Sequence, residues 1–143
     1  MNPLWFSVGL LAKAFDMPGL LALHIARSML IAVFIFVVYL FIAYVIRHQR
    51  WRIWVLMLVV FSSGLGVFFN PFLFDPNNIE EHPIDIWVPE SITFLTLYHT
   101  PHIIASLTLI VLVFLLMLLA FDTNRWRYSV AAGVANLFLT WFH

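Results

Sequence analysis

A chain of 143 residues suits one soluble domain by length, but the composition excludes that class. Hydrophobic residues make up 64% of the chain and charged residues 10%, and the mean hydropathy is +1.00, whereas a soluble domain carries about 25% charged residues. The sequence therefore predicts an all-α, polytopic integral membrane protein. Zero net charge, with no basic cluster among stacking aromatics, argues against a nucleic-acid partner. The absence of cysteine excludes disulfides and thiolate metal sites.

The first apolar segment, residues 3–15, is shorter than the roughly 20 residues that span a bilayer. We expect it to form an interfacial or re-entrant helix, with Trp5 as an interfacial anchor. Pro18 suits the first turn of the next helix, with Asp16 near its cap. That helix is the first predicted span, residues 18–46.

The middle of the chain alternates between basic and acidic connections. The turn 47–52 contains three arginines and a tryptophan, which is typical of a cytoplasmic boundary. The second predicted span, 53–69, carries the small-residue stretch 62–66, which would let another helix approach closely. The loop 70–100 has five carboxylates and no Lys or Arg, so we expect it outside, with a short helix near 89–98.

The C-terminal part predicts two further spans. Residues 101–121 form the third, and the turn 122–127, with two arginines and a tryptophan, again reads as cytoplasmic. Residues 128–143 begin a fourth span that is short for a crossing, so we expect a truncated end. Four spans bury little protein surface, so further transmembrane helices or subunits are expected partners, beside the bilayer. Close helix packing is expected at Ser62, Gly64, Gly66, Gly133 and Ala135.

The acidic loop offers one candidate metal site. Glu80, Glu81, His82 and Asp85 supply ligands that suit a divalent cation such as Mg²⁺ or Mn²⁺. Their spacing is irregular, so a solvated acidic loop is the favoured interpretation.

Glu90, His99 and His102 surround the start of the third span. Glu90 follows a proline, and its carboxylate either meets backbone N–H groups of a helix start or lines a cavity. The two histidines, three residues apart, could bind a metal or a phosphate at the helix N-terminus. Interfacial histidines hydrogen-bonded to the loop are the favoured alternative.

His24 and Arg27 lie one turn apart near the beginning of the first span, at the depth expected for His102. An arginine there must face protein, water or a lipid phosphate, and both a phosphate and Glu90 are reasonable partners. An axial haem or pigment pair of His24 and His102 is disfavoured because no local motif supports it.

Four short motifs carry a resemblance to a known group: Ser62-Ser-Gly-Leu-Gly66, Asp85-Ile-Trp-Val-Pro-Glu90, Phe94 and Pro101-His102. The chain resembles large, uncharacterised bacterial membrane proteins of the Chloroflexi type, which look like GT-C glycosyltransferases. The likeness covers residues 3–143, an internal third of such a protein. The first span and loop that carry the acidic catalytic residue in GT-C enzymes have no counterpart here, so the resemblance transfers no catalytic residue.

The resemblance implies a membrane-embedded portion of a transferase that acts on lipid-phosphate-linked sugar, inactive by itself. Arg27, His24, Glu90 and His102 would then line the substrate site. The alternative is a non-enzymatic accessory subunit of a larger membrane complex, such as an energy-transducing one. The sequence leaves open whether the chain is an enzyme.

Overall fold

The computed structural model describes residues 3–61 and 101–142, together with Thr93 and Leu97. These residues form five α-helices, so the all-α prediction is confirmed: α1 (Pro3–Ala14), α2 (Gly19–Val45), α3 (Gln49–Phe61), α4 (Pro101–Thr123) and α5 (Trp126–Phe142). By length and composition, α2 and α4 are long and apolar enough to cross a bilayer. The rest of the second predicted span and the loop 70–100 lie outside the described residues, except for Thr93 and Leu97, which are helical and fall within the helix predicted near 89–98.

Two helices begin earlier than the sequence predicted. Helix α3 starts at Gln49 and α5 at Trp126, so Arg50, Arg52 and Arg127 are helical rather than turn residues. Arginine has a high helix propensity, which explains why the basic segments continue into helix. The connection between α2 and α3 is reduced to residues 46–48.

The junction between α1 and α2 differs from the expected cap. Asp16 has a φ of 48° and ends α1 in the left-handed conformation. The Met17 N–H donates to the Ala12 carbonyl at 3.0 Å, the long bond of a Schellman motif. Helix α2 has Pro18 at its N-cap and no side-chain cap, so the prediction that Asp16 caps α2 is wrong.

Helices α2 and α4 pack side by side and run parallel. Near their beginnings, Ala22 and Ala105 belong to one buried cluster, to which α1 contributes Leu4 and Val8. Near their ends, the Tyr44 hydroxyl donates to Asp122 and lies 3.4 Å from the Leu118 carbonyl oxygen. The basic segments that follow α2 and α4 therefore lie at the same end of the helix pair.

The largest core cluster lies where α2 meets its neighbours α3 and α4. Phe34, Val38 and Ile42 supply one face of α2, and Ile104 on α4 is the largest fully buried side chain among the described residues. Helix α3 folds back along α2 and adds Val60. This packing leaves the outer faces of all the helices apolar and exposed, as at Met29 and Phe36 on α2.

Helix α5 folds back along α4 after a two-residue connection. Asn124 there has a φ of 50°, and asparagine tolerates this left-handed region better than most residues. On α5, Ala132 and Ala135 are buried, which agrees with the expectation of close packing at Ala135. A Cβ placed on Gly133 would meet nothing within 4 Å, so Gly133 packs against no helix of the described chain.

Candidate functional site

His24 and Arg27 form a polar pair on the exposed side of α2. Their spacing of three residues places them on one face, and the Arg27 Nη2 donates to the His24 Nδ1 at 3.1 Å. A guanidinium has only donors, so the His24 Nδ1 is the acceptor in this bond. The Ser28 hydroxyl also donates to the His24 carbonyl at 2.9 Å, which ties the pair to the helix backbone.

His102 lies in the first turn of α4 and is the second candidate that the structure describes. Its ring stands against Trp5 of α1, with ring centroids 6.4 Å apart and planes inclined by 55°. The His102 Nδ1 is buried and has no hydrogen-bond partner within the described part of the chain. A buried polar atom in this state costs about 1–3 kcal/mol, so it calls for an explanation.

Arg27 and His102 lie at about the same level along the parallel helices. Arg27 precedes Tyr44 by 17 positions, while His102 precedes Leu118 and Asp122 by 16 and 20. Since Tyr44 meets both of these α4 residues, equal steps back along α2 and α4 reach Arg27 and His102 together. We call this region, with His24, Arg27 and His102, the histidine end.

The histidine end coincides with the point where both helices become hydrocarbon-like. The uncharged run of α2 that follows Arg27 extends to Val45, which is about 27 Å. The uncharged run of α4 that follows His102 ends at Phe121, which is about 29 Å. Both lengths match the roughly 30 Å hydrocarbon core of a bilayer. Arg27 and His102 therefore stand where such a core would meet its head groups.

The opposite end of the helix pair is strongly basic. Five of the seven basic residues of the chain are here, and we call them the arginine end: Arg47, Arg50, Arg52, Arg125 and Arg127. Arg52 folds back on α2, its Nε donating to the Ile46 carbonyl at 2.7 Å and its Nη2 to the Arg47 carbonyl at 3.3 Å. Arg52 thus caps the C-terminus of α2.

No protein-family model, curated protein or solved structure matches this chain significantly. The assignment of any role therefore rests on the side chains and their geometry alone.

The remaining predicted site residues lie outside the described part of the chain. These are Glu90, the cation candidates Glu80, Glu81, His82 and Asp85, the residue His99, and the packing residues Ser62, Gly64 and Gly66. Among the described residues, no three His, Asp or Glu side chains come together as a metal site would need.

Two contacts were missed by sequence reasoning. Trp5 was expected to anchor α1 in the interface, and its contact with His102 has no local sequence signal because the two are far apart in the chain. The Tyr44–Asp122 hydrogen bond joins residues 78 positions apart. The one available clue was that both residues close an apolar run beside a basic segment.

Proposed function

We propose that this chain is the membrane-embedded, four-span portion of a GT-C-like glycosyltransferase and that its histidine end recognises a lipid-linked phosphate. The observation that carries the proposal is the buried, unpartnered His102 Nδ1 at the level of the His24–Arg27 pair. A protonated Nδ1 would donate a hydrogen bond to a phosphate oxygen.

The chemistry of the histidine end suits a phosphate on a lipid tail. Arg27 carries a permanent charge and a planar set of donors that match phosphate oxygens. His24 accepts one guanidinium N–H and so fixes the orientation of the others. Arg27 stands at the boundary of the apolar run, which is where the phosphate of a polyprenyl phosphate lies. Trp5, 43% exposed, extends an apolar surface beside His102.

The proposed role of each residue follows from its position. Arg27 would hold the phosphate charge, His102 would donate to one oxygen, and His24 would position Arg27. We propose that the chain supplies donor binding, while transfer needs residues of a larger assembly. In this arrangement, both basic segments are cytoplasmic and the histidine end faces outside in the cell membrane.

The test is binding of polyprenyl phosphate to the purified chain in nanodiscs, with polyprenol as the ligand that lacks the phosphate. Replacing Arg27 by Gln removes a charged hydrogen bond worth about 1.5–3 kcal/mol, so we expect polyprenyl phosphate to bind at least about tenfold more weakly. Polyprenol binding should not change. Lys13→Gln is the matched control, because Lys13 is the other basic residue outside the arginine end.

A second variant separates recognition from folding. His102→Phe keeps an aromatic ring against Trp5 and removes Nδ1, so thermal stability should hold while affinity for the phosphate falls. Equal affinities for polyprenyl phosphate and polyprenol in the wild type would overturn the proposal. The same conclusion follows if Lys13→Gln and Arg27→Gln lower the affinity equally.

A specific feature of α5 favours the alternative function, a non-enzymatic accessory subunit. The outer face of α5 has open space at Gly133 and an exposed aromatic pair, Phe138 and Trp141, whose rings meet edge to face at 6.2 Å. Small residues beside large ones are typical of helix–helix contacts in membranes. Gly133→Leu should leave the isolated chain intact but release a co-purifying subunit. Native purification of a monomer without a partner would count against this alternative.

A further inference from the structure

An apolar groove of about 440 Å³ runs along α2 between α3 and α4. Helix α2 forms its floor, α3 contributes Val55 and Val59 to one wall, and α4 contributes Leu107, Val111 and Phe114 to the other. The volume is within the usual range of ligand sites in proteins, about 300–1,000 Å³. The groove is not part of the histidine end.

The length and lining of the groove suit a hydrocarbon chain. It follows α2 from Phe34 to Ile46, which is about 18 Å. Thr93 is the one polar residue among the described residues that line it. A single extended acyl chain matches this length and this apolar surface.

The groove ends at positive charge. Ile46 is the last residue of α2 that lines it, and the Arg52 guanidinium hydrogen-bonds the Ile46 carbonyl. Arg52, Val55 and Val59 are spaced as i, i+3 and i+7, so Arg52 lies on the face of α3 that borders the groove. The guanidinium therefore stands at the arginine end of the apolar groove.

The charge at this end favours an anion over a neutral dipole. Arg52 has five N–H donors, and its described hydrogen bonds use two of them. Four further arginines belong to the same end, and the one carboxylate found there among the described residues, Asp122, already accepts from Tyr44. Clusters of arginine between helices at a membrane surface are a known means of binding anionic head groups.

We propose that the groove holds one acyl chain of an anionic phospholipid from the surrounding bilayer, with the lipid phosphate on Arg52. The bound lipid fills the space between α3 and α4. Its phosphate supplies acceptors to the guanidinium that caps α2, so one molecule connects α2, α3 and α4 at the arginine end. This inference requires the chain to lie in a membrane and is independent of polyprenyl phosphate recognition.

Native mass spectrometry of the purified chain in a neutral detergent tests the proposal. Phosphatidylglycerol and phosphatidylcholine with identical acyl chains are added in turn, and the bound fraction is measured. We expect phosphatidylglycerol to bind about tenfold more tightly, because the two lipids differ in net charge. Arg52→Gln should remove most of this preference.

Arg50→Gln is the matched control for Arg52→Gln. It removes the same charge from the same turn, but two residues correspond to about 200° around a helix, so Arg50 points away from the groove. Arg50→Gln should change the preference for phosphatidylglycerol by no more than about twofold. Because Arg52 also caps α2, Val59→Phe provides a test that leaves the cap intact. It fills the groove and should weaken binding of both lipids severalfold, at unchanged thermal stability.

Three results would overturn the proposal. Equal binding of the two lipids would remove the role of the phosphate. If Arg50→Gln and Arg52→Gln lowered the preference for phosphatidylglycerol equally, the preference would come from the summed charge of the arginine end and not from Arg52. Unchanged lipid binding in Val59→Phe would show that the acyl chain lies elsewhere.

Discussion

The packing between α2 and α4 can be tested at Ile104, which has no exposed surface. Replacing it by Ala removes three carbon atoms from the main cluster. In a water-soluble core such a change costs about 2–5 kcal/mol. About 2.4 kcal/mol of that is the transfer of three carbon groups from water, at about 0.8 kcal/mol each.

The transfer contribution should vanish in a bilayer. Lipid tails are as apolar as an isoleucine side chain, so separating α2 from α4 in lipid moves Ile104 from one apolar medium to another. What remains is the loss of packing around the cavity. We therefore expect Ile104→Ala to lower the free energy of unfolding by about 1–2 kcal/mol, clearly less than in water.

The assay is reversible unfolding in bicelles, followed by the fluorescence of the native tryptophans. Ile53→Ala is the control, because it removes the same atoms from a side chain that is 55% exposed on α3, and its effect should stay within about 0.5 kcal/mol. A loss above about 3.5 kcal/mol for Ile104→Ala would mean that Ile104 is transferred from water, and that α2 and α4 are not surrounded by lipid. If both variants lost the same free energy of unfolding, Ile104 would not be packed between α2 and α4.

Three other predictions concern the ends and the closest contact of the helices. Asn124→Gly should stabilise the chain slightly and Asn124→Val should destabilise it by about 1–2 kcal/mol, since Asn124 has a positive φ; thermal unfolding of both variants checks this. Tyr44→Phe should speed amide hydrogen exchange near Thr123, and it should have no added effect in an Asp122→Ala background, because the two side chains form one bond. Ala22→Leu should lower the free energy of unfolding by about 1–3 kcal/mol in the same assay, because Ala22 is completely buried between α1 and its neighbours. Ala14→Leu, on the exposed end of α1, should lower it far less.

Local signals in the sequence predicted where the helices lie. Apolar runs and charged breaks located α2 and α4 because a helix in hydrocarbon must be uncharged over about 20 residues. Pro18 and Pro101 marked helix starts because proline lacks the N–H that a first turn leaves unpaired. The helix ends were predicted less well. Asp16 ends α1 rather than capping α2, since a left-handed residue depends on the Met17–Ala12 backbone bond and not on side-chain identity alone.

Sequence alone predicted only the part of the candidate site that is formed by residues close together in the chain. The His24–Arg27 pair follows from helical spacing, and the bond between the two is seen. The burial of His102 depends on α1 folding over the start of α4, which no periodicity in either helix encodes. Similarly, the basic segment 47–52 signalled a membrane boundary, but the hydrogen bonds of Arg52 depend on how tightly the chain turns at residues 46–48.

The two proposed lipid sites lie at opposite ends of the same helices, and this arrangement makes them separable. The Arg52 guanidinium lies at the Ile46 carbonyl, which follows Arg27 by 19 residues or about 29 Å along α2, so neither guanidinium can serve both phosphates. If both sites exist, polyprenyl phosphate and phosphatidylglycerol should bind together without competing. Arg27→Gln should weaken only the first ligand and Arg52→Gln only the second. Competition between the two ligands, or loss of both in a single variant, would mean that one phosphate site accounts for all the binding. In that case the arginine end, with its five positive charges, would be the site that remains, and the histidine end would lose its proposed role.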